Sequence, residues 1–393
     1  MIIHETVKVY HMERYQNPAL FLKKKSHFLF GPRGTGKSYL LRTLDSQKVD
    51  YIDLLRSKTY LDLQRNPSQL ESYITKKLVV IDEIQRIPEL LNEVHRLIEE
   101  RSIRFVLTGS SARKLRKGGV NLLAGRAYRA ELFGLSWHEI SREQTFDLDK
   151  YLLYGGLPTA YLESDPEEYL YAYTETYLRE EIQAEAFVKK LANYDRFLHA
   201  AALSNAEMIN FTKVASDAQL SPNTVRDYFV LLEDTLIAQL LPPWTKSRKR
   251  KAIQTAKFYF FDVGIVHSLK NIDRLNRNTD AFGKAFEHFI YSELRASLSY
   301  ARNRKTLCYW RSTSNMEVDF VIGDNIAIEV KASSRVTQRD HKGLKALQEE
   351  KQWEKLLLVS QDETAKIFPS GIQHIHWERF LENLWNGEYF KFK

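Results

Sequence analysis

The chain reads as an α/β protein in three parts: a parallel sheet wrapped by helices, a helical middle, and a second α/β unit. Three observations predict this. From Ser26 to about Leu135, short continuous apolar runs alternate with helix-periodic stretches; from Asp147 to about Gln239 the periodicity is almost wholly helical; after the basic run Lys246 to Lys251, short strands return. Runs such as "HFLF", "LVVID" and "RFVLTG" show no polar alternation, as strands covered on both faces should. The helical patterns between them supply the crossovers that parallel strands require. The parts are expected to span residues 1–145, 146–243 and 244–393.

Size and composition bound the reading. With 393 residues, 44% apolar and 27% charged, the chain can bury more than one core and is not of disordered composition. Its one cysteine, Cys308, excludes an internal disulfide and any multi-thiolate zinc site. Apolar runs such as Leu78 to Ile81 are too short to span a bilayer, and the start lacks a signal-peptide core, so a cytoplasmic protein without membrane association is expected. The net charge of +8 conceals an asymmetry: residues 1–145 carry +9, 146–243 carry −9, 244–304 carry +8 and 305–393 carry 0. DNA or RNA, if bound, should avoid the second block and favour residues 244–331.

The first part holds the most specific motif. "GPRGTGKS", Gly31 to Ser38, is a complete G-x-x-x-x-G-K-[ST] pattern directly after a strand and opening a helix. Gly31, Pro32, Arg33, Gly34, Thr35 and Gly36 should curl their backbone N–H groups around phosphate oxygens, with the helix end adding positive potential up to Tyr39. Lys37 should reach the β- and γ-phosphates of ATP and Ser38 should ligate Mg²⁺. Downstream, the buried strand "LVVIDE" ends in Asp82, which would hold the magnesium through its waters, and Glu83, which would polarise the attacking water. Thr108, Ser110 and Ser111, after "RFVL", stand where a γ-phosphate sensor would sit, or else cap the following "ARKL". Arg126, after Gly125, is the candidate cation for developing charge, in cis or from a neighbouring subunit of a homo-oligomer.

These segments, with "VVIDEIQRIPEL", "LTGSSARKL", "LAGRAYRAELFGLSWHEI" and "YLLYGGLPTAYL", resemble in sequence and order a family of prokaryotic AAA+-type ATPases. The likeness continues through "FYFFDVG", "GKAFEHFIYSEL", "YWRSTSNMEVDFVI" and "IEVKAS" and so covers nearly the whole chain. It implies a P-loop NTPase core that hydrolyses ATP through Lys37, Ser38, Asp82, Glu83 and Arg126, a winged helix in the middle, and a C-terminal domain of unknown function similar to restriction endonucleases. The family usually carries another tripeptide in place of "GTG", which leaves the phosphate cradle intact.

In the middle part, "FTKVASDAQLSPNTVRDYFVLLED" has the rhythm of two helices about a turn at Leu220, the second capped by Ser221 with Pro222 in its first turn. Reading DNA would need basic residues on that second helix, which offers only Arg226 beside Asp227, Glu233 and Asp234, so packing or communication is the expected role.

In the last part, "MEVDFVIGDNIAIEVKAS" reads as a hairpin. A two-residue turn at Asp324 and Asn325 would mix apolar and charged groups on each face. A three-residue loop, Gly323 to Asn325, sets Asp319 opposite Glu329 and Glu317 opposite Lys331, with Val318, Phe320, Ile328 and Val330 together behind. Facing carboxylates need a cation, and Lys331 or Mg²⁺ could supply it. Glu287, at the border of the apolar stripe of the preceding helix, is the further acid. Glu287, Asp319, Glu329 and Lys331 match the metal-binding pattern of restriction endonucleases in a helix, three strands, helix, strand order. Val318 stands before Asp319 where that pattern often has proline. The whole is read as an ATP-driven switch or motor acting on nucleic acid. The alternative is a regulatory switch binding protein partners through an inactive nuclease-like unit.

Overall fold

The computed structural model describes residues 12–18, 21, 25–111, 123, 125–178 and 191–392. Its first sheet is wholly parallel, in the order β2 (Asp50–Asp53), β3 (Leu78–Asp82), β4 (Arg104–Gly109), β1 (Ser26–Phe30), β5 (Ala127–Glu131). Helices α1 (Lys37–Arg42), α2 (Ser57–Arg65) and α3 (Leu90–Arg101) connect these strands. All of β1 and β3 is buried, as strands without alternation must be. One face packs Phe28, Phe30, Val79 and Ile81 against Leu90, Leu91 and Val94; the other packs Leu29, Val80 and Val106 against Leu40 and Leu41.

After β5 the chain is helical: α4 (Trp137–Glu143), α5 (Leu148–Tyr154), α6 (Pro158–Leu162), α7 (Pro166–Ala172), a π-helical turn Tyr173–Tyr177, and α8 (Leu191–Leu203). A reciprocal capping box between Ser136 and Glu139 starts α4. Then come β6 (Glu207–Met208), α9 (Phe211–Ala218), α10 (Pro222–Asp234) and β7 (Ala238–Leu241). Ser221 caps α10 and Pro222 opens it, as the sequence predicts.

β8 (Lys257–Phe260) and α11 (Val263–Leu269) correct the expected boundary at 243/244. β8 lies between β6 and β7, antiparallel to both, and Phe258, Phe260, Ile265 and Val266 pack with Phe197, Phe229 and Leu232 of the helical part. Meanwhile Trp244 and Ala252 pack on the last unit, through bridges Pro243↔Tyr309 and Ala252↔Ser312. The chain crosses between the two bodies repeatedly because strand pairing and aromatic burial outweigh composition, from which the boundary was read.

The last unit runs α12 (Asp280–Tyr300), β9 (Leu307–Arg311), β10 (Glu317–Ile322), β11 (Ile326–Lys331), α13 (Lys342–Gln348), β12 (Lys355–Ser360), β13 (Lys366–Ile367), β14 (Gln373–His376) and α14 (Trp377–Trp385). Its mixed sheet has the order β13-β14-β12-β11-β10-β9. Phe289, Ile290 and Leu294 of α12 and Phe380 and Leu384 of α14 cover one face; Leu344 and Leu347 of α13 cover the other. The hairpin pairs Phe320 with Ile328 and Ile322 with Ile326, leaving Gly323 to Asn325 as the loop. The three-residue turn is therefore the one formed. One side chain departs from expectation: Val318 packs with Trp310, Val321 and Ala327 on the α13 face. An irregularity in pairing with β9 between Val318 and Val321 inserts an extra residue, which resets the alternation at Asp319. Among the described residues no helix is long and apolar enough to cross a membrane.

Candidate nucleotide site and carboxylate cluster

The sheet order brings the loop after β1 and the acids ending β3 to the same carboxyl edge, with only β4 between them. Gly31 donates its N–H to the Gly109 carbonyl at 3.3 Å. A β-carbon on Gly31 would lie 2.4 Å from the Leu132 carbonyl oxygen, and Gly34 and Gly36 turn at φ +83° and +90°, so the curl needs glycine at all three positions. Within it, Lys37 donates through Nζ to the carbonyls of Gly31 (2.7 Å) and Pro32 (3.0 Å), and Thr35 Oγ1 donates to Pro32 at 2.9 Å. Buried Arg14 donates to the Thr35 carbonyl at 2.6 Å and pairs with Glu139 at 2.9 Å. Ser38 and Tyr39 follow, half-buried, on the first turn of α1. Because α1 has only six residues, its dipole is weaker than the sequence invites one to expect, and the loop amides and Lys37 are the main positive groups of the curl.

Asp82 is buried and doubly held: its Oδ2 accepts from the Tyr51 hydroxyl at 2.5 Å and its Oδ1 from the Thr108 hydroxyl. Burial, then Asp82, pushes the Tyr51 phenol well up. Glu83 sits at φ +62°, a left-handed conformation that a non-glycine residue adopts only where its surroundings enforce it. Its N–H donates to Thr108 Oγ1 at 2.9 Å, and its carboxylate meets the Gln85 amide, which also reaches Ser110 Oγ at 3.1 Å. Of the three hydroxyls, Thr108 thus ties Asp82 to Glu83, Ser110 serves Gln85, and Ser111 reaches the Asp234 carbonyl at 3.4 Å. The alternative of capping "ARKL" lies outside the described residues.

Arg126 is not brought to this edge. Ala127, next to it, pairs with Ser26 at the start of β1, whereas Gly31 follows Phe30 at its end. Five strand residues put Arg126 about 16 Å away along the sheet, where its guanidinium pairs with Glu99. A contact in cis is corrected accordingly.

The helical part covers the glycine loop. A row of tyrosines four residues apart, Tyr169, Tyr173 and Tyr177, faces it: the Tyr173 hydroxyl donates to the Arg33 carbonyl at 2.9 Å, and the Arg33 guanidinium lies 4.3 Å from the Tyr177 ring centroid. A β-carbon on Gly34 would stand 3.0 Å from the Tyr169 hydroxyl. On the other flank, Met12, Arg14, Tyr15, Tyr39, Thr43 and Arg142 line a cavity of about 400 Å³.

The predicted acids of the hairpin do converge. Asp319 accepts from the Val330 N–H at 2.9 Å, Glu329 pairs with Lys331, and Glu287 accepts from the Tyr259 hydroxyl at 2.5 Å. Burial and then Asp319 raise Glu329 well above the usual carboxylate range; burial brings Glu287 to about 7. A residue the sequence reading missed lies among them. Lys257 of β8 stands 2.6 Å from Glu317, 3.0 Å from Glu287 and 3.6 Å from Asp319. Its only signal was a lysine opening the aromatic strand "KFYFF". Beside this cluster is a cavity of about 470 Å³. The basic run is partly spent: Lys246 pairs with Asp324 at 2.5 Å, and the Glu350 carboxylate accepts from the backbone N–H groups of Arg248, Lys249 and Arg250.

Comparison with known proteins finds three family matches along the chain. Residues 23–141 match the family described as "AAA domain", residues 145–276 a "Domain of unknown function (DUF8612)" and residues 282–380 a "Domain of unknown function (DUF4143)". An uncharacterized protein of Mycobacterium tuberculosis is 27% identical over 318 residues, 78% of this chain and 70% of its own length. One of Methanocaldococcus jannaschii is 25% identical over 338 residues, 77% and 74% respectively. Among solved structures, a signal transduction ATPase with numerous domains and a tetratricopeptide repeat sensor, from Pyrococcus horikoshii, aligns over 73% of this chain and 48% of its own at 12% identity, with a TM-score of 0.25. A similarity that loose bears no weight on fold or function.

Proposed function

We propose that the chain binds ATP with Mg²⁺ at Gly31 to Tyr39, hydrolyses it, and uses the change as a switch. One observation carries this: a glycine curl, closed to a β-carbon at Gly31 and turned to positive φ at Gly34 and Gly36, lies one strand from a buried aspartate, Asp82, oriented by Tyr51 and Thr108. The donor set fits a magnesium triphosphate, since loop amides and an ammonium suit phosphate oxygens and the hydroxyl and carboxylate of Ser38 and Asp82 are the hard oxygens Mg²⁺ takes. Lys37 leaves its own loop carbonyls for the β- and γ-phosphates. Ser38 and Asp82 hold the metal, directly and through its waters. Glu83, fixed by Thr108 and Gln85, orients and polarises the attacking water. Bound magnesium neutralises charge on the transferring phosphoryl group. The cavity beside Tyr39 takes the nucleoside. Arg126 can act only on a nucleotide held by a neighbouring copy in a homo-oligomer. Turnover measurements test the reading: Lys37→Ala should lose nucleotide binding, while Glu83→Gln should keep ATP bound and lose at least about a hundredfold in turnover. Equal activity in all three proteins would remove the assignment.

For the rest of the chain, α9 and α10 with the β6-β8-β7 sheet support a winged-helix-like unit that communicates rather than reads sequence; Arg226 is spent stacking on Phe211, 5.4 Å away. The order α12, three strands, α13, strand supports a restriction-endonuclease-like fold, gripping nucleic acid through the exposed side chains of Arg248, Lys249 and Lys251. A second reading, a switch that binds protein partners, is favoured by the acids that absorb Lys246 and Arg250. Titration with DNA and RNA across ionic strengths separates them, because phosphate binding must weaken steeply with salt.

A further inference from the structure

An ammonium has three N–H donors and accepts nothing. At Lys257 those donors face three carboxylates: Glu287 on α12, and Glu317 and Asp319 on β10. Lys257 is 3% exposed and lies 5.4 Å from the centre of the Tyr309 ring. Burial alone would drive such a lysine toward neutrality; Glu287, Tyr259, Asp319 and Glu317 outweigh it and keep the charge. The acids have further partners: Glu317 pairs with Arg311 at 2.9 Å, and Asp319 accepts from the Val330 N–H. Glu329 turns one oxygen to Lys331, and its Oε2 is buried without a hydrogen-bond partner. Among the described residues, no three His, Cys, Asp or Glu side chains are disposed to hold a metal ion.

A divalent ion at this point would need one or two of these carboxylates as ligands beside its waters, yet Glu287, Glu317 and Asp319 are already turned to the buried Lys257 ammonium, which would repel it at close range. The residues therefore do not fit the metal that the restriction-endonuclease-like reading implies. We propose that Lys257 is the resident cation of this carboxylate cluster, filling as part of the chain the place a divalent metal would take. The inference rests on that reading for the grouping of the acids and departs from it in the chemistry: the C-terminal unit holds its charges together without a metal, and its cavity meets ligands as a mixed, lysine-balanced surface.

The test is Mn²⁺ binding to the full chain, followed by electron paramagnetic resonance of free ion. All proteins carry Ser38→Ala so that the nucleotide loop contributes no site. With Lys257 present, no Mn²⁺ should bind that depends on Asp319. Lys257→Met leaves Glu287, Glu317 and Asp319 facing one another, and should gain one site at least about tenfold tighter than any in the parent, lost again on adding Asp319→Asn. Lys257→Met/Glu317→Gln, with less repulsion, keeps the test open if the single variant does not fold. Thermal melts with and without Mn²⁺ report folding independently. Parent protein that binds Mn²⁺ through Asp319 would overturn the proposal while leaving the nuclease-like reading standing. No site in either Lys257 variant, both folded, would overturn the proposal and that reading together.

Discussion

Glu293 shows how one buried group sets a measurable property. On α12 it is 1% exposed, accepting from the Trp137 N–H and the Trp385 indole N–H, each at 2.7 Å. Burial, only partly offset by these donors, raises it to about 8. Between about 4.5, where the unfolded carboxyl ionises, and about 8 the folded chain keeps a proton that the unfolded chain has released. The contribution of Glu293 to stability therefore falls as pH rises through that window, and that of Glu287, raised to about 7, falls with it. Asp262, raised to about 6 by burial, adds to the fall over its lower half. Urea midpoints at several pH values should show this decline, and Glu293→Gln should flatten it at a cost of about 1 kcal/mol at low pH, where one indole or amide loses its acceptor. An undiminished slope in the variant would move the cause elsewhere. At this scale the sequence was legible wherever function is contiguous. Gly31 to Ser38 declare themselves because eight consecutive residues make the cradle; Lys257, Tyr259, Tyr51 and Arg14 do not, because each acquires meaning only from partners dozens to hundreds of residues away.

Among the elements, the hairpin and the helix over the glycine loop make contrasting cases. The turn length of the hairpin could be read from which register separates apolar from charged side chains. The bulge at Asp319 could not, since it arises from pairing with β9 and no local signal marks it. The tyrosine row gains its meaning only from its contact with Arg33, far away in sequence. Its π-helical turn, Tyr173–Tyr177, sits where it touches the loop, and such turns are rare overall and frequent at functional sites. The Tyr173 hydrogen bond restrains the loop in the arrangement where Lys37 is held by its own carbonyls. Tyr173→Phe removes it, and should tighten nucleotide binding about fivefold, the equivalent of one hydrogen bond of about 1 kcal/mol. Calorimetric titration decides; affinity equal to or weaker than that of the parent would mean that the row does not restrain the loop.

Across the molecule, the three-part plan was legible from alternation and periodicity, but the seams were not. Composition changes at the basic run, whereas the polypeptide passes to the last unit at Trp244, returns at β8, and leaves again before α12. A fragment ending at residue 243 loses the central strand of the β6-β8-β7 sheet and exposes Phe197, Phe229 and Leu232. One ending at residue 276 retains it. The shorter should aggregate and the longer remain more soluble, as sedimentation of the two will show; equal behaviour would restore the simpler boundary. Such lacing also has a consequence for inheritance. A gene segment encoding the last unit alone would arrive in a new host without Lys257 to quiet its acids, and the segment left behind would keep an interrupted sheet. Exchange by recombination therefore succeeds only when the middle and last portions travel together.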